Sequence, residues 1–207
     1  MVCKTLMKNK FSLDEKSQLR RCLLLERKAM IAMEKEKGSE KISQQLVSWP
    51  FFTQAKSLLL YLAMDSEPSI DVVMQAAFAR GKQVAVPQIL PGEGLMTAVS
   101  WQPTLTLEQG RFGIRQVFAA DRKPVSEAEI DLVIVPCLAL DRKGYRLGMG
   151  GGYYDRFLPK FPGTAVFVGV CWQRQLQTAL PVEEHDQRLH YVLTEEEFFK
   201  VVVQDGN

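Results

Sequence analysis

Residues 57–89, SLLLYLAMDSEPSIDVVMQAAFARGKQVAVPQI, decide the fold. Ser57 to Ala63 is a continuous apolar run, as expected of a strand buried on both faces. Ser69 then offers an N-cap to a helix over Ile70 to Arg80, and Gly81 stands just past its end. Gln83 to Ile89 reads as the next strand. Strand, helix and strand at this spacing make a βαβ unit.

Working outward, the same punctuation recurs. Upstream, Ser12 with Glu15 resembles a capping box, and a leucine-rich helix from Leu19 to Met33 continues to about Lys37. Gly38 and Ser39 are expected to end that helix and cap a second, Glu40 to Trp49, which Pro50 closes. Downstream, a Pro/Gly loop leads into a strand at Leu95 to Trp101, and a polar, weakly patterned stretch runs to about Glu129. Asp131 to Val135 and Ala165 to Val170 are further apolar strands. The expected fold class is α/β, with a mainly parallel sheet covered by helices on both faces and an N-terminal helical segment. Residues 1–207 are read as a single domain, without internal repeats.

Composition narrows the functions. Apolar residues make up 46% and charged residues 24%, the profile of a soluble globular protein. A net charge of +2 lacks the basic footprint of a non-specific nucleic-acid binder. No window approaches the apolar length of a membrane span, and the N-terminus carries no signal-type pattern, so the expected compartment is the cytoplasm. Cys3, Cys22, Cys137 and Cys171 lie far apart without a CxxC pair, and His185 and His190 are the two histidines. That spacing reads as reduced thiols rather than a zinc site.

The chemistry concentrates in Val135 to Leu158, VPCLALDRKGYRLGMGGGYYDRFL. A strand leads into a loop holding Gly144, Gly148, Gly150, Gly151 and Gly152, and a helix is expected from near Tyr153. In open α/β sheets ligands bind beyond the carboxyl ends of strands, where this loop must lie. Glycines let backbone N–H groups converge on phosphate oxygens, and Arg146 offers them bidentate charge. Neither a Walker A loop nor GxGxxG is present. A glycine cluster also serves as a plain turn, and both readings stand on the residues alone.

RLGMGGGYYDR (146–156), preceded by a strand-Pro segment and Asp141-x-x-Gly144, resembles the signature of the 5-formyltetrahydrofolate cyclo-ligase family. Lys16-x-x-Leu19-Arg20 is similar to that family's KxxLR element, Glu67 follows the first strand as its substrate-binding glutamate does, and Leu180 to Asp186 matches its LPxExHD stretch. The resemblance implies a fold like that of the ribose-phosphate isomerase and CoA-transferase superfamily. It also implies ATP as co-substrate, Mg²⁺, and a small-molecule substrate, 5-formyltetrahydrofolate with or without a polyglutamate tail. The chain is expected to act as a monomer, with no nucleic-acid or membrane partner.

By position, the resemblance assigns the nucleotide to Lys16, Arg20, Arg146, Leu147, Gly148, Met149, Gly150, Gly151, Gly152, Tyr153 and Tyr154. Glu67 would hold the pterin, with Tyr153 near the formyl group and Trp101 flanking the site; Asp155 and Asp186 would be the metal-side carboxylates. The implied reaction sends the formyl oxygen onto the terminal phosphate of ATP, after which ring closure expels phosphate. Such chemistry needs positioning and charge neutralisation rather than a nucleophile triad. Each residue also has a plainer reading: Lys16 and Arg20 as solvated charges on one helical face, Glu67 and Asp186 as turn acids, Asp155 as a helix-dipole partner, Trp101 as core. Two departures stand out. His190 occupies a position where the family commonly has a second aspartate, and Phe112-Gly113-Ile114 lacks the proline that often follows.

Overall fold

The computed structural model describes residues 13–91 and 94–202. The chain opens with α1 (Leu13–Lys28), α2 (Ala32–Ser48) and α3 (Pro50–Gln54). Then come β1 (Ser57–Leu59), α4 (Asp71–Ala79), β2 (Gln83–Ile89) and β3 (Met96–Ser100). A region of small elements holds β4 (Leu107–Gln109), β5 (Arg115–Val117) and β6 (Pro124–Val125). It is followed by β7 (Leu132–Pro136), β8 (Ala139–Asp141), β9 (Arg146–Leu147) and α5 (Tyr153–Phe157). The chain ends with β10 (Val166–Val170), β11 (Leu176–Gln177), β12 (Tyr191–Leu193) and β13 (Phe198–Lys200).

Eight strands form the main sheet in the order β13-β12-β10-β7-β1-β2-β3-β6. From β12 to β2 every neighbour is parallel, with Leu58 opposite Val84 on one side and Leu132 on the other. β3, β6 and β13 are antiparallel, so the sheet is mixed rather than mainly parallel. The cause is connection length. A parallel return needs a crossover of a dozen or more residues, and the links from β2 to β3 and from β12 to β13 are far shorter.

Successive side chains of the central strands point to opposite faces and so fill two cores. Leu58, Val84, Val86, Leu132, Ile134, Val168 and Val170 pack with Ile42 and Leu46 of α2 and with Val73 and Met74 of α4. Leu59, Ala85, Val133 and Val135 pack on the other face with Phe157 of α5 and the following Leu158 and Phe161. The continuous apolar runs in the sequence are explained by this double burial.

The N-terminal helices divide differently from the sequence reading. The break falls at 29–31 and not at Gly38, which lies buried within α2. A Cβ at Gly38 would meet Trp172 Cζ3 at 2.6 Å, and Trp172 is fully buried. Gly38 is therefore a close-approach residue rather than a helix stop. Pro50 starts α3 as well as ending α2, with Trp49 extended before it. Ile70, not Ser69, is the residue before α4, although the Ser69 hydroxyl accepts from Asp71 N at 3.4 Å. Ser12 of the expected capping box lies outside the described residues.

Candidate functional site

From β1 the chain runs through α4 to β2 on one side of β1, then later returns through β7 on the other. The point between β1 and β7 is where the strand order reverses, and ligands of open α/β sheets bind outside the strand carboxyl ends at such a point. A cleft of about 460 Å³ lies there. Its walls include Tyr61, Met64 and Glu67 after β1, Pro136 at the end of β7 with Leu138 beyond it, and Pro87 and Ile89 at the end of β2.

The glycine loop covers this cleft because of the hairpin that precedes it. Asp141, at the end of β8, is 1% exposed and accepts from the N–H groups of Lys143, Tyr145 and Leu180. One buried carboxylate thus ties the β8–β9 turn to the start of the 180–186 segment. Burial raises its pKa, and the three backbone donors oppose that shift. From β9 the loop 148–152 enters α5 at Gly152, whose φ of 63° is left-handed and suits glycine. α5 is only five residues long, so the loop's N–H groups matter more here than a helix dipole.

α1 supplies the cations. Leu23, with Leu19 and Leu24 beside it, packs on Leu138, Ala139, Leu147 and Leu180. This docks the helix on the hairpin. Lys16 Nζ lies 3.0 Å from Asp186 Oδ2 and 3.1 Å from Glu183 Oε1. Arg20 Nε donates to Gly148 O at 3.0 Å. The Arg146 side chain is buried, donating to Asp155 Oδ1 and, at 2.6 Å, to Gln187 O. Asp155 and Asp186 therefore line one cleft, each beside a cation. Glu183, His185 and Asp186 also offer ligand atoms within 4.8 Å of one another.

Glu67 sits on a loop held from three sides. Tyr61 hydroxyl donates to Pro68 O at 2.6 Å, Trp172 Nε1 to Ser66 O at 2.9 Å, and Ser69 N to the Ser39 hydroxyl at 2.9 Å. Its carboxylate accepts from Met64 N at 3.0 Å. Burial raises the Glu67 pKa against the lowering effects of that bond and of Arg27. Tyr61 and Tyr154 are both pushed up, chiefly by burial and then by the Glu67 charge, so their phenols stay neutral.

All the sequence-derived site residues except Trp101 line the cleft. Trp101 is 7% exposed and packs in the core beside α4's face of the sheet, away from the walls. Leu147 is buried under α1, whereas Met149 is exposed at the mouth. His190 is also elsewhere: its ring stacks on Phe167 at 5.0 Å, and its Nδ1 accepts from Phe167 N. The sequence reading missed Asp141 as the hairpin's anchor, Tyr61, Glu183 and Arg27. Arg27 lies seven and eleven residues after Arg20 and Lys16, on the same helical face, and that periodicity was the available signal.

The model of the 5-formyltetrahydrofolate cyclo-ligase family matches residues 12–195. The 5-formyltetrahydrofolate cyclo-ligase of Haemophilus influenzae is 28% identical over 182 residues, covering 87% of this chain and 97% of that protein. The enzyme of the same name from Mycolicibacterium smegmatis is 30% identical over 183 residues, covering 86% and 93%. The solved structure of Aquifex aeolicus 5,10-methenyltetrahydrofolate synthetase superposes with a TM-score of 0.78 at 29% identity, covering 93% of this chain and 94% of the other.

Proposed function

The chain belongs to the 5-formyltetrahydrofolate cyclo-ligase family, and on that premise we propose how its cleft converts 5-formyltetrahydrofolate to 5,10-methenyltetrahydrofolate with ATP. The observation that carries the reading is the convergence of the glycine loop, Lys16, Arg20, Glu67, Asp155 and Asp186 on one cleft at the sheet's switch point. The loop 148–152, with Arg20, Lys16 and Arg146, would cradle the phosphates of ATP. Glu67 would accept from the amino group and adjacent N–H of the pterin, and the half-buried Tyr153 would border the formyl group.

The donor set suits Mg²⁺, which takes one or two carboxylates together with phosphate oxygens; Asp155 and Asp186 would hold it. Such an ion would neutralise phosphate charge during transfer. The protein's own part is positional: Arg146 fixes Asp155, and Lys16 fixes Asp186. With both substrates held, the formyl oxygen attacks the terminal phosphate, ADP leaves, and nitrogen 10 closes the ring with loss of phosphate. The same reading takes the fold as one of the ribose-phosphate isomerase and CoA-transferase type. It takes the enzyme as a cytoplasmic monomer that accepts mono- or polyglutamylated folate.

Phosphate release from ATP and Mg²⁺, with and without 5-formyltetrahydrofolate, tests the reading. The expected result is hydrolysis that depends on the folate. Folate binding without any phosphate release would instead identify a folate-binding protein on the same scaffold.

A further inference from the structure

Beneath the cleft lies a cation with no part in the phosphoryl-transfer or ring-closing steps. Arg27 is 1% exposed, and its Nε and Nη1 have no hydrogen-bond partner among the described residues. An unpaired buried guanidinium nitrogen is costly, so such a group persists where something offsets it. The nearest anion is Glu67, whose Oε1 stands 3.8 Å from Arg27 Nη1, too far for a hydrogen bond; Glu67 is itself only 8% exposed. The other titratable groups facing Glu67 are Tyr61, Cys137 and Tyr154. Of these groups Arg27 alone carries positive charge.

We propose that Arg27 is a positioning residue that acts through Glu67, holding its carboxylate ionised and aimed into the cleft so that it accepts from the paired donor edge of a pterin-like ligand. The inference rests on the reading that Glu67 holds the folate. Its physical basis is the competition at Glu67. Burial favours the neutral acid, which would present an O–H where the ligand needs an acceptor, and Arg27 and the Met64 N–H are the two groups that oppose it. The 3.8 Å separation fits this role: it provides Coulomb attraction without occupying the lone pairs that the ligand needs.

The test is 5-formyltetrahydrofolate binding, measured by calorimetry across pH, for the wild type, Arg27→Met, Glu67→Gln and the double variant. ATP affinity and thermal unfolding serve as controls. Arg27→Met is expected to weaken folate binding about tenfold or more while leaving ATP affinity unchanged. Its folate affinity should begin to fall, on acidification, at a higher pH than in the wild type, because Glu67 then protonates earlier. In the Glu67→Gln background, Arg27→Met should have no further effect. An unshifted pH profile, or an equal loss with and without Glu67, overturns the inference. If Arg27→Met does not fold, Arg27→Lys, which keeps the charge, is read instead: it should retain the wild-type pH profile, and a shifted profile overturns the proposal. Folate binding that Glu67→Gln leaves intact would instead sink the assignment of Glu67 itself.

Discussion

Arg146 illustrates how a candidate site residue is also a structural one. Its side chain is 5% exposed and joins β9, α5 and the 183–188 segment through Asp155 and Gln187 O. Arg146→Ala removes the buried partner of Asp155, a loss of about 3 kcal/mol by analogy with broken buried pairs. For a chain of this size that lowers Tm by roughly 6 to 12 °C. Asp155→Asn keeps an oxygen for Arg146 but loses the charge. It should melt within a few degrees of the wild type while Mg²⁺-dependent turnover falls about a hundredfold or more. Normal turnover in that variant would remove Asp155 from the site. Burial also pushes the Cys137 thiol up to about 12 and raises Cys171 further from reactivity. A thiol reagent applied to the native protein should therefore modify the partly exposed Cys22 well before either of them; mapping the modified peptides checks this. At this scale the sequence was informative where glycines and charged residues crowd into one short stretch, as in 146–156, most of which lines the cleft. It did not reveal that Arg27 faces Glu67, 40 residues away, or that Asp141, beyond its local partners Lys143 and Tyr145, also anchors Leu180, 39 residues away.

Between elements, α2 and the Glu67 loop are linked through one ring. Gly38 lets Trp172 lie against the helix, and Trp172 Nε1 holds Ser66 O beside Glu67. Gly38→Ala gains about 1 kcal/mol of helix propensity. It must also displace a buried indole, an overpacking cost of about 1 to 3 kcal/mol. Packing wins, and the expected result is a Tm lower by roughly 2 to 4 °C with a raised KM for the folate. A raised Tm with unchanged KM would show that the ring moves freely. The sequence reading took Gly38 as a helix stop because local signals cannot register a tryptophan 134 residues away. The βαβ unit and the strands at 83–89 and 132–136 were legible because double burial produces apolar runs, VAVP at 84–87 and LVIVP at 132–136. Strand direction at the sheet edges was not, since it follows from the length of the connections rather than from composition.

Across the whole molecule, the carboxyl ends of β1 and β7 create the cleft, and α1 and the β8–β9 hairpin complete it. The far edge of the sheet has its own pH response. The His190 pKa is lowered by burial and then by Lys200, so the folded state resists its protonation. The stability it contributes is present above the unfolded value of about 6.5 and is lost as pH falls through that value toward the folded one. Because His190 is only partly shielded from solvent, the effect should stay below about 1 kcal/mol. Urea midpoints at pH 7.5 and 5.5 should converge in His190→Phe relative to the wild type, and equal differences in both proteins would contradict this. Glu67 and Asp141, with raised pKa values, work in the opposite direction, which is why the comparison needs the variant.

The chain is, with its family, an ATP-driven cyclase. The most direct test is the near-ultraviolet absorbance of methenyltetrahydrofolate, followed with purified protein, 5-formyltetrahydrofolate and Mg²⁺, with and without ATP. An absorbance rise that requires ATP is the predicted result. A folded protein that gives no rise, or the same rise without ATP, would not be such a cyclase.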